Sequence, residues 1–318
     1  MMKIYPDGKP YYSLNAFYRK TFGEKVSKIA LDGGFTCPNR DGTLGTHGCI
    51  FCSSGGSGDF AGDRKLSIKE QIAWGRKQYD RSSKNHGTKY IAYFQAFTNT
   101  YAPVDRLNQL YREALSEPDV VGISIATRPD CLSPEIMTLL SEINSIKPVF
   151  IELGLQTIHE ETAHFIRRGY PLSCFDKAVN DLKSINIPVI VHVILGLPGE
   201  SDAQMLSTVR YVGKSGASGI KLQLLHVLKD TDLYRLYCEK PFPLLTLDHY
   251  VDLICESIAW LPEDIVIHRL TGDGPRNLLV APLFSIDKRI VLNTIHKELK
   301  RRNIHQGDYL HAGSIDTL

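Results

Sequence analysis

Three cysteines lie close together in a glycine-rich segment near the start of the chain. The segment reads GGFTCPNRDGTLGTHGCIFC, and it contains Cys37, Cys49 and Cys52. Thiolates bind zinc and iron–sulfur clusters, and cysteines clustered in this way indicate a metal or redox site when the compartment is reducing. The other cysteines are scattered, and we interpret each as an ordinary structural residue: Cys131, Cys174, Cys238 and Cys255.

Three explanations of the cysteine segment are open on residue types alone. The cysteines could be gathered by chance. They could form a structural zinc site, in which His47 completes a Cys₃His set of four ligands. They could instead hold an iron–sulfur cluster through three thiolates, which leaves one iron open to a substrate or cofactor. We favour the third, because the segment follows a strand-like run, where α/β folds place their reaction centres.

The composition is that of an ordinary globular protein. The chain has 318 residues, 43% of them hydrophobic and 23% charged, with a formal charge of +2. This near balance neither requires nor excludes a polyanionic partner. The first residues lack the apolar run of a secretory signal, and the longest apolar stretch, PVIVHVILGLP, is about half the length of a membrane span. We therefore expect a cytoplasmic protein without a membrane partner.

Apolar, β-branched runs alternate with amphipathic segments along most of the chain. Six runs are predicted to be strands: 27–34, 89–97, 119–127, 147–156, 187–196 and 218–227. Because helix-like segments separate them, they predict a parallel α/β sheet, either open or curled into a barrel. Predicted helices include 66–80, 133–144, 201–216, 246–260 and a basic helix at 287–303.

The pattern changes after residue 227, where helices prevail. We expect an α/β domain at 27–227, an amino-terminal extension at 1–26, and a helical carboxy-terminal extension at 228–318 that packs on the barrel.

The cysteine segment resembles the signature of the radical S-adenosylmethionine (SAM) superfamily, in which three cysteines follow the first strand and an aromatic residue precedes the last. The gaps here are eleven and two residues, whereas the most familiar spacing in that superfamily is three and two. The long first gap resembles the branch related to the Elongator catalytic subunit, within it the bacterial YtqA/YhcC type. Other stretches carry the same resemblance: GFTCPNRDGT, YFQAFTNTYAP, SIATRPDCL, ELGLQT and ILGLPGE.

The resemblance implies an α/β fold with a partial (β/α)₆ TIM-like barrel. It also implies a [4Fe–4S] cluster bound by Cys37, Cys49 and Cys52, with SAM at the open iron. The protein would be an enzyme that generates a 5′-deoxyadenosyl radical, with flavodoxin or ferredoxin as its electron donor. Eight residues would contact SAM by the same resemblance: Phe51, Gln95, Thr98, Arg128, Glu152, Gln156, His192 and Gly196.

Several of these residues also have an ordinary structural interpretation. Phe51 could be a buried aromatic residue rather than a neighbour of the adenine. Thr98 or Asn99 could cap the next helix. Arg128 could form a salt bridge with Asp130 instead of binding a ligand carboxylate.

The same choice applies to residues on the later strands. Glu152 and Gln156 share one face of their strand, and a buried carboxylate is costly unless it has a partner. His192 could be a core residue of an apolar strand instead of a ribose contact. Gly196 would permit close backbone approach, and Glu200 could cap the following helix.

The resemblance also implies a substrate. The Elongator subunit modifies carbon 5 of the wobble uridine in tRNA, and YtqA-like proteins are associated with conversion of its 5-carboxymethylaminomethyl form into the 5-aminomethyl form. We expect no acetyltransferase domain in 318 residues, which favours trimming an existing side chain. Hydrogen abstraction from the glycine-like carbon, oxidation to an imine and hydrolysis would do this. His226 is a candidate general base.

Two other functions are open: a radical SAM enzyme that acts on a small metabolite, and a zinc-stabilised binding protein. Basic residues near both ends of the chain, and one pair between them, could form a phosphate-binding rim or could be ordinary solvated faces. These residues are Arg19, Lys20, Lys25, Lys28, Arg167, Arg168, Lys297, Lys300, Arg301 and Arg302.

Overall fold

Strands and helices alternate as the apolar pattern predicts. The computed structural model describes residues 5–56, 58–81, 87–272 and 274–312. Its strands are β1 Val26–Leu31, β2 Lys89–Phe94, β3 Val120–Thr127, β4 Val149–Gln156, β5 Val189–Leu195, β6 Gly219–Leu224, β7 Val227–Leu228, β8 Val266–Arg269 and β9 Leu279–Ala281. One sheet has the order β1-β2-β3-β4-β5-β6-β8, and β7 pairs with β9 in a second sheet.

The strand order identifies the type of sheet. Neighbouring strands follow one another in the chain and the order never reverses. A doubly wound sheet reverses its order at one point, whereas a (β/α) barrel keeps the order sequential. Strands β1 to β4 pair in parallel, as do β5, β6 and β8. All six predicted strands are confirmed, and the topology is that of the predicted partial barrel.

Eleven α-helices lie in the described ranges: α1 Leu14–Phe22, α2 Ile68–Arg81, α3 Val104–Leu115, α4 Pro134–Ile146, α5 Glu160–Phe165, α6 Leu172–Ser184, α7 Asp202–Lys214, α8 Asp232–Glu239, α9 Leu247–Trp260, α10 Lys288–Arg302 and α11 Asp308–Ala312. The predicted start of α2 is confirmed, because the Ser67 N–H donates to Glu70 and the Glu70 N–H donates to the Ser67 hydroxyl. None of the described helices has the length and apolar character that a membrane span needs.

The chain forms two compact units. The first comprises residues 18–154 and 169–189, and its core contains Leu31, Ile91, Phe94, Tyr111 and Ile123. The second comprises the described residues up to 17, with 155–168 and those from 190 onward, and its core contains Val193, Ile220, Leu222, Ile254 and Leu299. Each large buried side chain contributes about 1.5–3 kcal/mol to stability. The predicted domain boundaries at 26/27 and 227/228 stay a prediction.

Candidate cofactor site

The cysteine segment follows β1 and contains no helix or strand between residues 32 and 52. Cys37, Cys49 and Cys52 form no disulfide, and each residue is partly exposed. The carbonyl of Cys37 accepts hydrogen bonds from the N–H groups of Arg40 and Asp41, at 2.8 and 3.2 Å, and the carbonyl of Cys49 accepts one from Cys52 at 3.0 Å. Tight backbone turns therefore fix each end of the segment, and Phe51 lies partly exposed between the last two cysteines.

Arg40 holds the segment together. Its Nη2 donates to the carbonyls of Cys52 and Ser53, at 3.2 and 2.6 Å. Gly48 lies against this guanidinium with a φ of 75°, and a Cβ atom at position 48 would lie 2.8 Å from the Arg40 Nε. Glycine is required there, because a side chain would be strained and would displace Arg40.

The thiols of Cys49 and Cys52 form a hydrogen-bonded pair with opposite titration behaviour. The hydrogen bond from Cys52 lowers the pKa of Cys49 to about 7, with help from Asn39 and the charges of Arg128 and Arg40, while burial opposes the shift. The Asn39 Nδ2 lies 3.5 Å from the Cys49 Sγ. The same hydrogen bond and burial raise the pKa of Cys52. Cys49 is therefore poised to become a thiolate near neutral pH, as a metal ligand must be.

The cysteines can be compared with what a single metal ion and a cluster each require. Among the described residues, no three His, Cys, Asp or Glu side chains are placed to hold one metal ion. A cluster does not need such convergence, since each cysteine binds a different iron. His47 is exposed. Burial raises the pKa of Cys131 to about 12 and that of Cys255 to about 11, so both stay protonated at neutral pH.

The segment after β2 contacts the cysteine segment. Thr98 is buried, and its N–H donates to the carbonyl of Thr36 at 3.1 Å. The Arg40 guanidinium lies 5.6 Å from the centre of the Phe97 ring. Gln95 is partly buried, and its N–H donates to the carbonyl of Leu31 at 3.1 Å.

Thr98 and Asn99 do not cap the next helix. The residue that precedes α3 is Pro103, and no side chain caps that helix. Asn99 is fully buried, and its Nδ2 donates to the carbonyl of Ala126 on β3 at 2.8 Å. Its Oδ1 is buried without a hydrogen-bond partner among the described residues. Such an acceptor costs about 1–3 kcal/mol if nothing binds it, and no local sequence signal marks Asn99 as a ligand contact.

Arg128 forms the salt bridge that the sequence left as an alternative. Its Nε and Nη2 donate to the two carboxylate oxygens of Asp130, at 2.9 and 2.7 Å, and its guanidinium lies 5.1 Å from the centre of the Tyr170 ring. Although burial disfavours the charge, the ion pair raises the pKa of Arg128. A permanent cation therefore lies close enough to Cys49 to stabilise its thiolate.

Glu152 is buried and well partnered. Its Oε1 accepts from the Lys28 Nζ at 2.5 Å and from the Ser124 hydroxyl at 2.7 Å, and its Oε2 accepts from the Tyr93 hydroxyl at 2.9 Å. Lys28 was expected in a basic surface cluster, and that expectation is wrong, because its side chain is 16% exposed and points to Glu152. The two residues are 124 positions apart in the chain, so no local pattern could have paired them.

Gln156 ends β4 in a strained conformation. Its φ is 68°, which is costly for any residue except glycine, and its Oε1 is buried without a hydrogen-bond partner among the described residues. Strain and an unmatched acceptor in one residue are typical of ligand-binding positions.

Two further predicted residues lie in the middle of β5 and just after its end. His192 is partly buried and lies opposite Lys221 of β6. Gly196 has a φ of 90°, and its N–H donates to the Met205 Sδ at 3.0 Å. Any other residue at position 196 would be strained, as expected for a segment that needs close backbone approach.

Glu200 is not a helix cap. Ser201 caps α7, in a reciprocal arrangement with Gln204. The Glu200 carboxylate instead accepts from the Thr157 hydroxyl at 2.5 Å. Burial raises the pKa of Glu200, while Thr157 and the charge of His159 oppose that rise.

His226, the candidate base, is a neutral imidazole. Burial, with a smaller effect of the Lys288 charge, lowers its pKa to about 4. Its Nε2 is buried without a hydrogen-bond partner among the described residues. Gly272 and Gly274 pack so closely on the ring that a Cβ atom at either position would lie within 3 Å of it.

A cavity of about 680 Å³ lies beside the cysteine segment. Pro38, Thr43 and Leu44 of that segment line one side, and residues 100–103 with Cys131 line others. Its volume is in the range of small-molecule sites, but Cys37, Cys49 and Cys52 are not among its lining residues.

Two family models match the chain. The model of the Radical SAM superfamily matches residues 42–212, more than half of the chain, and the Radical_SAM C-terminal domain matches residues 217–301. The "Uncharacterized protein YtqA" of Bacillus subtilis (strain 168) is 45% identical over 305 residues, which cover 95% of this chain and 93% of that protein. The chain belongs to the radical SAM superfamily. The predicted YtqA-type branch is thus confirmed.

Two more distant similarities concern proteins of the Elongator type. The tRNA uridine(34) acetyltransferase of Methanocaldococcus jannaschii is 26% identical over 169 residues, which cover 52% of this chain and 30% of that protein. The structure of the archaeal Methanocaldococcus infernus Elp3 superposes with a TM-score of 0.67 at 17% identity, covering 88% of this chain and 64% of that one. At this identity the superposition supports the radical SAM fold alone.

Radical SAM enzymes use a [4Fe–4S] cluster and SAM, so both predicted cofactors are confirmed. This result decides against the chance and zinc explanations of the cysteine segment. The superfamily match begins at residue 42, after Cys37. Cys37 therefore lies outside that match, and its role as a cluster ligand stays a prediction from its position after β1.

Proposed function

We propose that this radical SAM enzyme converts 5-carboxymethylaminomethyluridine at the tRNA wobble position into 5-aminomethyluridine. The observation that carries the proposal is the similarity of about half of the chain to the tRNA uridine(34) acetyltransferase of M. jannaschii. That protein is named for the same base. An RNA substrate is therefore better supported than a small metabolite.

In this proposal Cys37, Cys49 and Cys52 each bind one iron, and the fourth iron is left for SAM. A [4Fe–4S] cluster held by these cysteines would supply the one-electron chemistry for reductive cleavage of SAM, once an external donor had reduced it. The lowered pKa of Cys49 supports its role as a ligand, since a thiolate is available without a large cost. Arg40 holds the backbone of the cysteine segment in place through its hydrogen bonds to the carbonyls of Cys52 and Ser53.

We further propose Gln156 as a SAM contact. A bound ammonium must be hydrogen-bonded, because an unmatched buried charge is very costly. The buried Oε1 of Gln156 is an acceptor of the required kind. Phe51, Gln95, Thr98, Arg128, Glu152, His192 and Gly196 remain proposed contacts. Arg128 and Glu152 have protein partners already, so they would contact SAM alongside those bonds.

The first test is SAM cleavage. Purified protein is reconstituted anaerobically with iron and sulfide, then given dithionite and SAM, and 5′-deoxyadenosine is measured. We expect product from the wild type and from Cys238→Ala, an exposed control, and none from Cys49→Ala. Absence of 5′-deoxyadenosine from a fully reconstituted wild type would contradict the radical mechanism.

The second test concerns the substrate. The same reaction is run with tRNA that contains 5-carboxymethylaminomethyluridine, and the nucleosides are analysed by mass spectrometry. We expect 5-aminomethyluridine only when protein, SAM and reductant are all present. Robust SAM cleavage with an unchanged wobble uridine would favour the small-metabolite alternative.

The remaining expectations follow from this substrate. A tRNA-modifying enzyme works in the cytoplasm, and its cluster needs a low-potential one-electron donor such as flavodoxin or ferredoxin. Reduction by purified flavodoxin in place of dithionite, read as 5′-deoxyadenosine, tests the donor.

A further inference from the structure

Helix α10 is much more positive than the rest of the chain. Its 15 residues, Lys288–Arg302, include six Lys or Arg and one Glu, a formal charge of +5. The whole chain has a formal charge of +2, so all residues outside α10 together carry −3. Helix α10 is therefore strongly net positive, while the rest of the chain is net negative.

The charges on α10 form a stripe on its exposed side. Arg289, Lys297 and Lys300 are exposed, and with 3.6 residues per turn they fall within about 80° of one another. The opposite side packs into the core through three fully buried residues: Val291, Ile295 and Leu299. The stripe thus faces away from the core along most of the helix.

Ion pairing neutralises only one end of α10. Arg301 and Arg302 both bind Glu298, at 2.8 and 3.2 Å, and Arg302 also binds Asp252. Arg289, Lys297 and Lys300 form no ion pair with any residue in the described ranges. The three cations of this stripe are therefore available to bind a partner.

Helix stability does not explain this stripe. A cation near the carboxyl end of a helix is favoured by the helix dipole, which accounts for Lys300. Arg289 lies in the first turn, where the dipole disfavours a cation, and Lys297 lies between the ends. A solvated face requires polar residues, but it does not require a single sign of charge.

We propose that this stripe on α10 binds the phosphate backbone of the tRNA substrate, a proposal that rests on the proposed function. Arg289 and Lys300 are eleven residues apart, so the stripe extends for about 16 Å, enough to reach several phosphates. Lys is depleted in the cores of protein–protein interfaces, where aromatic residues are enriched. The three cations of the stripe match a polyanion better than they match a protein.

The test compares two charge-reversed variants of the full chain. One is Arg289→Glu/Lys297→Glu/Lys300→Glu. The control has the same change in net charge spread over three other helices: Lys69→Glu/Lys183→Glu/Lys214→Glu, all exposed in the described structure. Binding of a fluorescent tRNA is measured by anisotropy at several salt concentrations, and 5′-deoxyadenosine formation without RNA is measured in parallel.

We expect the α10 variant to lose about 10- to 100-fold in tRNA affinity and about 2–3 units of the log–log salt slope, because each lost phosphate contact removes about 0.7–0.9. The control should lose much less, and SAM cleavage without RNA should be unchanged in both. The neutral variant Arg289→Gln/Lys297→Gln/Lys300→Gln should show the same direction if charge reversal impairs folding.

The outcomes separate the two proposals. If the wild type binds no tRNA, the proposed function fails. If the wild type binds tRNA and the α10 variants bind equally well, or if the control loses as much affinity, the assignment to α10 is wrong while the proposed function stands. Unchanged tRNA binding together with a changed oligomeric state would instead assign the stripe to a protein partner.

Discussion

The surroundings of Glu152 and the cysteine segment belong to the same compact unit, but their polar side chains differ in how many bonding partners they have. At Glu152 a buried carboxylate finds Lys28, Ser124 and Tyr93, and every oxygen has a partner. In the cysteine segment the backbone is tightly bonded, while the three cysteines form no disulfide and Cys49 has only weak sulfur hydrogen bonds, such as that from Asn39. A polar group that is fully partnered mainly supports the fold, whereas one that is left over is available to a ligand.

The largest effect on activity is expected when one of the three cysteines is replaced. Replacing Cys37, Cys49 or Cys52 by Ala should reduce SAM cleavage to background, because a thiolate ligand is lost, while the free energy of unfolding of the metal-free protein changes by less than about 1 kcal/mol. Iron content, 5′-deoxyadenosine and urea unfolding measure the two effects. A variant that keeps its iron and its activity would remove that cysteine from the proposed ligands.

At Glu152 we expect the opposite, a large loss of stability. Glu152→Ala leaves Lys28 mostly buried without its carboxylate, so the free energy of unfolding should fall by about 3–5 kcal/mol. The double variant Lys28→Met/Glu152→Leu should recover most of that loss, since it removes both charges. Urea unfolding of the single and double variants measures this. The opposite result would be a Glu152→Gln protein that keeps its stability but no longer cleaves SAM. It would show that Glu152 serves the ligand and not mainly the fold.

The third prediction concerns His226, another group with an unmatched atom. Its pKa is about 4 in the folded protein, and near 6.5 when unfolded. The unfolded chain therefore takes up a proton first as the pH falls, and stability present above pH 6.5 is lost toward pH 4. Between pH 7 and 4.5 the loss is about 2 kcal/mol.

This loss at His226 is measured against His226→Asn, which cannot take up the proton. Urea unfolding of the two proteins across that pH range should show a steeper fall for the wild type. Parallel curves would show that His226 is not held neutral.

The smallest effect is expected at Gln156. Gln156→Gly relieves the left-handed strain and removes the unmatched oxygen, so stability should rise by up to about 1 kcal/mol. SAM should bind about tenfold more weakly, as measured by calorimetry. Gln156→Ala is the matched control, since it loses the amide and keeps the strain. Equal SAM affinity in all three proteins would exclude Gln156 as a contact.

The sequence predicts the scaffold well, because apolar runs report burial directly. Every predicted strand is present, and the cysteine spacing points to the correct cofactors. Helix starts are predicted where the signal is local, as at Ser67. Two other proposed caps are wrong. Glu200 is followed by Ser201, which caps α7, and Thr98 lies too far before the start of α3.

The contacts within the candidate site are less predictable, since they depend on residues that are distant in the chain. Nothing near Lys28 indicates Glu152, and nothing near Asn99 indicates that one of its side-chain atoms bonds to β3 while the other stays unmatched. The strained φ of Gln156 likewise has no signal in residue type. The sequence thus indicates which cofactors bind, whereas the tertiary structure determines which polar side chains lack a protein partner and can contact them.

The tie that Arg40 makes to Cys52 and Ser53 has a consequence for repair. It involves protein atoms only, so these two hydrogen bonds do not depend on bound iron. If oxygen destroyed a cluster bound here, the end of the cysteine segment would still be held by Arg40.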